Sequence, residues 1–135
     1  HEGALETLDW LRASGFEVAV ATGKSRRGLD RVLQGLGLEG YFHSTRCADE
    51  TRSKPHPLML EEILLERGKA AHSALMVGDS EYDLEMARRL GMPSVGVTFG
   101  VHSREQLLRH RPLALIDRLA ALRELPHGLS QASIG

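Results

Sequence analysis

Ala74-Leu75-Met76-Val77-Gly78-Asp79-Ser80-Glu81-Tyr82-Asp83 is the stretch on which the fold turns. Residues 74–78 form a short apolar run that reads as a buried strand, and Asp79 punctuates its end. Helical spacing resumes at once through Leu84, Ala87 and Leu90, and Gly91 stops it. The same grammar is found upstream. Phe16 to Ala21 is an apolar run containing two valines, Thr22-Gly23-Lys24-Ser25 breaks it, and Leu29, Val32, Leu33 and Leu36 carry a helical stripe. Alternating strands and helices call for a parallel sheet covered on both sides, with right-handed crossovers. The expectation is therefore a three-layer α/β/α, Rossmann-like parallel sheet, with chemistry at the carboxyl ends of its strands.

The remaining segments fit around these two units. Ala4, Leu5, Leu8 and Leu11 predict a helix from Ala4 to Ala13 that ends near Gly15. Residues 41–45 predict a weaker strand, and a polar stretch from Asp49 to Ser53 leads into Lys54-Pro55-His56-Pro57, which must be extended or turned. Pro57 suits the first turn of a helix whose buried stripe is Met59, Leu60, Ile63 and Leu64 and which stops near Gly68. Ser94 to Thr98 repeats the strand signal. A polar helix from Ser103 to His110, an apolar piece at residues 113–116 and a last helix through Leu119, Leu122 and Leu125 follow. The tail, residues 126–135, is expected to be disordered.

The chain has 135 residues, 41% of them hydrophobic, which suits one domain with a substantial core, assigned to residues 1–135. Its 17 basic and 18 acidic residues are dispersed and nearly balanced, so nucleic acid is not the expected partner. No apolar run approaches the roughly 20 residues needed to cross a bilayer, and the start lacks a signal-peptide pattern. A single cysteine, Cys47, cannot form an internal disulfide and fits a reducing, cytoplasmic compartment. The first residue is His1 rather than Met, with a helical pattern starting almost immediately, so the chain is expected to begin inside a longer protein.

Asp79 and Asp83 lie four residues apart across a strand-to-helix junction, so both carboxylates can face one crevice. Paired hard oxygens suit Mg²⁺, which typically takes one or two protein carboxylates and keeps positions for water and phosphate. Ser80-Glu81-Tyr82-Asp83 equally fits a helix-capping pattern, and both readings can hold together. Thr22 offers a hydroxyl at a strand end and Gly23 allows close backbone approach to an anion, although an isolated Thr-Gly pair can be no more than a helix cap. Gly23-Lys24-Ser25 is not a nucleotide-binding Walker loop, because Val18 stands where that motif needs glycine. Lys54 is held on a stiff segment beside a helix start, which favours a placed charge over the solvated lysine usual at a surface. None of the seven histidines has partners at zinc-ligand spacing.

Taken in order, Val20-Ala21-Thr22-Gly23-Lys24, Ser53-Lys54-Pro55-His56-Pro57 and Val77-Gly78-Asp79-Ser80-Glu81-Tyr82-Asp83 resemble the second, third and fourth motifs of haloacid dehalogenase hydrolases. The resemblance extends to about Leu125 and is nearest to the phosphoglycolate-phosphatase-like branch. It implies that Thr22 and the Gly23 amide hold a phosphoryl oxygen, that Lys54 balances charge on the phosphate and nucleophile, that Asp79 binds Mg²⁺, and that Asp83 supports the metal shell. It further implies hydrolysis of a small phosphorylated metabolite through an aspartyl-phosphate in the complete protein.

One departure is large. The family's first motif, Asp-x-Asp at the end of a central strand, occurs nowhere here: the six aspartates are Asp9, Asp30, Asp49, Asp79, Asp83 and Asp117. In the family that strand lies between those ending in Thr22 and Asp79, and the cap domain that selects substrate follows it. The sheet is therefore expected to be incomplete, with an open slot that invites an upstream segment or self-association. The chain alone is expected to be inactive. The alternative is a non-catalytic core acting as a binding or association module.

Overall fold

Met76, Val77 and Gly78 are buried without alternation, as a strand covered on both faces must be. The computed structural model describes residues 3–100, 102–125 and 132–134. Among these residues six strands form one sheet: β1 (Val18–Thr22), β2 (Ser44–Cys47), β3 (Met76–Gly78), β4 (Ser94–Val97), β5 (Ala114–Ile116) and β6 (Ala132–Ile134). Every pairing is parallel, and the order is β2-β1-β6-β3-β4-β5. Five α-helices connect them: α1 (Ala4–Ala13), α2 (Arg26–Leu36), α3 (Leu58–Arg67), α4 (Glu81–Leu90) and α5 (Arg104–Leu108). The segment expected as the last helix is instead a 3-10 turn, Leu119–Glu124. No helix is long and apolar enough to cross a membrane among the described residues.

The two sheet faces have different cores. On one, Ala19, Ala21 and Met76 meet Met59, Leu60 and Ile63 of α3 and Met86 and Ala87 of α4. All four methionines of the chain lie in this layer, where unbranched, polarisable side chains fill irregular gaps between small strand residues and helices. On the other face, Val18 meets Leu8 and Leu11 of α1, while Val77, Val95, Val97 and Ile116 meet Leu122 of the 3-10 turn.

Two elements depart from the sequence pattern for tertiary reasons. β2 begins at Ser44 rather than Tyr41. Tyr41 and Phe42 owe their apolar character to packing beside α1, where the Tyr41 hydroxyl donates to Asp9 at 2.6 Å, and burial pushes the Tyr41 hydroxyl up to about 12. β2 itself is polar and is fastened by Arg46 to Glu62 and Glu66 of α3, at 2.9 and 2.8 Å. In α2 the expected stripe is only partly covered: Leu29 is buried, but Val32 and Leu36 are 40% and 65% exposed. The helix contacts β2 at the sheet margin, where no further strand among the described residues covers the rest of its stripe.

The larger difference concerns the sheet centre. Disorder was expected for residues 126–135; residues 126–131 and 135 lie outside the described residues, but Ala132–Ile134 form β6 and occupy the slot between β1 and β3. β6 pairs with Val18, Ala19 and Val20 on one side and with Met76 and Val77 on the other. A vacant slot would strand backbone donors and acceptors on two facing edges, a cost that any extended segment within reach relieves. The opening on which self-association would depend is thereby taken. The Val18 amide donates to His43 Nδ1 and the Met76 amide to the Pro93 carbonyl, so by alternation the amides of Ala19 and Val77 face β6. A chain ending at Leu125 should lose hydrogen-exchange protection at Ala19 and Val77 and unfold at lower urea concentration; unchanged protection at these two amides would show that β6 contributes no pairing.

Candidate functional site

The topology brings the singled-out residues to one edge of the sheet. Thr22 is the last residue of β1 and Asp79 follows the last residue of β3. Since β6 separates these strands, the two tips stand two strand spacings apart, about 10 Å. Lys54 lies on the segment between β2 and α3, where the Lys54–Pro55 peptide is cis, the His56 amide donates to the Ser53 carbonyl at 3.0 Å, and the Leu58 amide donates to His56 Nδ1 at 3.2 Å. These local bonds aim the Lys54 side chain across the edge, and its Nζ donates to Asp83 Oδ1.

Asp83 is the most tightly held of the group. It is 1% exposed, it pairs with Lys54, and its Oδ2 accepts the Ser80 amide at 3.3 Å. Its own amide donates to Ser80 Oγ at 3.2 Å, completing a reciprocal cap on α4. The capping reading of Ser80-Glu81-Tyr82-Asp83 is therefore realised, and the same carboxylate also closes the pair with Lys54. Gly78 is required beside it, because a Cβ there would fall 2.4 Å from Asp83 Cβ.

Asp79 is held differently. It is half-buried, and its carboxylate has no hydrogen-bond or ion-pair partner among the described residues. Gly100, beyond β4, lies against it: a Cβ there would fall 2.6 Å from the Asp79 carbonyl oxygen and 3.0 Å from its Cγ. Two glycines thus shape the crevice containing both acids. Sequence reading passed over both, because a glycine required by a neighbour's bulk looks like any loop glycine until the neighbour is known.

At the other tip, Thr22 Oγ1 accepts the Lys24 amide at 3.1 Å, and a Cβ on Gly23 would meet nothing within 4 Å. Ser25 caps α2 by accepting the Gly28 amide at 3.0 Å. Arg26, which the sequence did not mark, locks this loop to the segment after β2. Its Nε and Nη2 donate to the two oxygens of Glu50 at 3.0 and 2.9 Å, and its amide donates to Asp49 at 3.0 Å. The fork-to-carboxylate hydrogen bonds hold the Glu50 carboxyl below its usual range. The Ala48 amide adds a bond to the Lys24 carbonyl at 3.1 Å, so the loop carrying Thr22 and the segment leading to Lys54 are tied together. The apolar hollow lined by Val18, Ala19, Leu60, Ile63 and Met92 is at the opposite, amino end of the strands and belongs to the core.

Known proteins resemble this chain in sequence and in fold. Residues 1–97 match the family model of haloacid dehalogenase-like hydrolases. The "Probable phosphatase IndB" of Dickeya dadantii is 35% identical over 132 residues, covering 97% of this chain and 57% of that protein. A "Phosphoglycolate phosphatase" of Pectobacterium atrosepticum is 36% identical over 116 residues, 85% of this chain and 50% of its own length. A crystal structure described as a predicted phosphoglycolate phosphatase from Haemophilus somnus 129pt superimposes with a TM-score of 0.85 at 26% identity, covering 92% of this chain and 56% of that one. The chain spans about half the length of the relatives it matches.

Asp83 is nine-tenths or more buried, so removing its cation leaves an uncompensated charge. Lys54→Met should cost about 3–5 kcal/mol in urea unfolding at pH 7, and adding Asp83→Asn should recover part of it. A double variant as unstable as the sum of the two single changes would show that the pair is not coupled.

Proposed function

The chain belongs to the haloacid dehalogenase-like hydrolase family, in its phosphoglycolate-phosphatase-like branch, and on that footing we propose that it is the core of a Mg²⁺-dependent phosphomonoesterase acting on a small phosphorylated metabolite. The observation that carries the reading is the unequal treatment of two neighbouring carboxylates. Asp83 is buried with both oxygens engaged, whereas Asp79 is half-buried and, among the described residues, its carboxylate is uncommitted. Mg²⁺ fits this donor set, because it takes one or two protein carboxylates and completes its octahedron with water and phosphate oxygens. Gly100 leaves the room beside Asp79 that a side chain would fill. Asp79 would be the direct ligand and Asp83 its support, held by Lys54 and Ser80.

When bound, the ion would neutralise charge on phosphoryl oxygens. The chain's own residues would do the rest. Thr22 already accepts from Lys24, which leaves its hydroxyl hydrogen to donate to a phosphoryl oxygen. The Gly23 amide, close to the start of α2, would add a second donor in a favourable field. Lys54 would balance the anionic charge gathered at the edge. In the whole protein the attacking carboxylate would come from a segment outside this chain, forming an aspartyl-phosphate. Because the sheet slot is filled, the case for such a segment rests on the relatives' greater length rather than on a vacancy. We place the protein in the cytoplasm on its single, buried Cys47.

A second reading is favoured by β6. Ala132-Ser133-Ile134 carries no acid, yet it occupies the central sheet slot between β1 and β3, so a chain that closes its own sheet could serve as a non-catalytic binding module. Hydrolysis of p-nitrophenyl phosphate separates the two. The whole protein should turn over only with Mg²⁺ and lose at least about a hundredfold in kcat on Asp79→Ala, a loss typical of removing a group that stabilises transition-state charge. The 135-residue chain alone should be inactive. Whole protein without Mg²⁺-dependent turnover would leave the binding module standing.

A further inference from the structure

The turn that enters α4 joins both acids, Asp79 just before the helix and Asp83 in its first turn, and it is held from outside by residues near and within α5. The Glu81 amide, one of the donors a helix start leaves without an internal partner, donates to His102 Nδ1 at 2.7 Å. Its carboxylate accepts from Gln106 Nε2 at 3.2 Å and lies 3.4 Å from His110 Nε2. The His102 ring also meets Tyr82 edge to face, 5.3 Å between centroids. Gly100, two residues before His102, is the glycine that abuts Asp79. The chain leaving β4 is thus bonded to Glu81 and packed on Asp79, on either side of Ser80.

We propose that His102 is a positioning residue for the metal carboxylates: by accepting the Glu81 amide it fixes the entry of α4 and holds Asp79 in register with Asp83. This rests on the reading of Asp79 as a Mg²⁺ ligand. Ser80 and Asp83 satisfy each other's amides, so without His102 the Glu81 amide would lose the acceptor that ties the turn joining the two acids to the chain beyond β4. A bond that orients ligands from behind commonly governs metal affinity by ten- to a hundredfold. The role needs an acceptor where Nδ1 stands, which asparagine can supply through Oδ1. Glutamine reaches too far, and leucine offers nothing.

Amide NMR on the 135-residue chain during a Mg²⁺ titration tests this. In the unsubstituted chain, Mg²⁺ should shift the Asp79–Asp83 amides, and Asp79→Asn should abolish that response. His102→Leu and His102→Gln should weaken the apparent affinity by about tenfold or more and expose the Glu81 amide to exchange. His102→Asn should restore both, an outcome that mere loss of packing would not give. Unchanged affinity in His102→Leu, or failure of asparagine to rescue, overturns the positioning role while leaving the metal site intact. Absence of any Asp79-dependent response in the unsubstituted chain overturns the metal reading itself, and the positioning role with it.

Discussion

A carboxylate buried at a strand-to-helix junction is the constraint around which this edge of the molecule is organised. Asp83 is nearly inaccessible, and an anion in that position is tolerable only if it is paired and hydrogen-bonded. Lys54 supplies the cation and the Ser80 amide supplies a donor. Each has consequences further away. The Lys54 segment must be carried across from the end of β2, which the turn at residues 53–56 achieves, and Gly78 must lack a side chain so that Asp83 can sit where it does. A local electrostatic requirement thus sets the conformation of two separate stretches, residues 53–56 and 78–83.

The central sheet position shows the same logic on backbone groups. Two buried strands, β1 and β3, face one another across a gap one strand wide, and the sheet is continuous only because β6 lies between them. The pairing stops at Val20 and Val77, while β1 continues to Thr22. The tips that bear Thr22 and Asp79 therefore project beyond the last described β6 pairing. The candidate chemistry is confined to that projecting rim, and the part of the slot that β6 fills lies below it.

Much of this was legible in the sequence because the strongest signals were local. Met76–Gly78 followed by a helix at Glu81, and β1 followed by a loop and α2, each rest on a short apolar run and a polar break within ten residues. Lys54, Asp79 and Asp83 were marked by the rigid or punctuated segments that hold them. What escaped was set by distant partners. The displacement of β2 depends on Tyr41 and Phe42 finding α1, the Arg26–Glu50 lock spans 24 residues, and β6 depends on a gap created by two strands far upstream. His102 was weighed only as a metal ligand, because its actual partner is a backbone amide 21 residues earlier, which no spacing rule signals.

The two acids of α4's entry also illustrate why structural and chemical roles need not compete. A residue that caps a helix and closes a buried ion pair is held in place through both oxygens, each of which accepts a hydrogen bond. On the proposed reading its value to Asp79 is rigidity: Asp83 cannot move without leaving its charge and the Ser80 amide unpaired, and together with the His102 bond to the Glu81 amide it restrains the turn after Gly78. Asp79 inherits a fixed position from that arrangement while keeping its own oxygens uncommitted among the described residues. The capping pattern that competes with a metal reading when only the sequence is considered is, in three dimensions, compatible with the proposed role of Asp79, because the cap engages Asp83 and not Asp79.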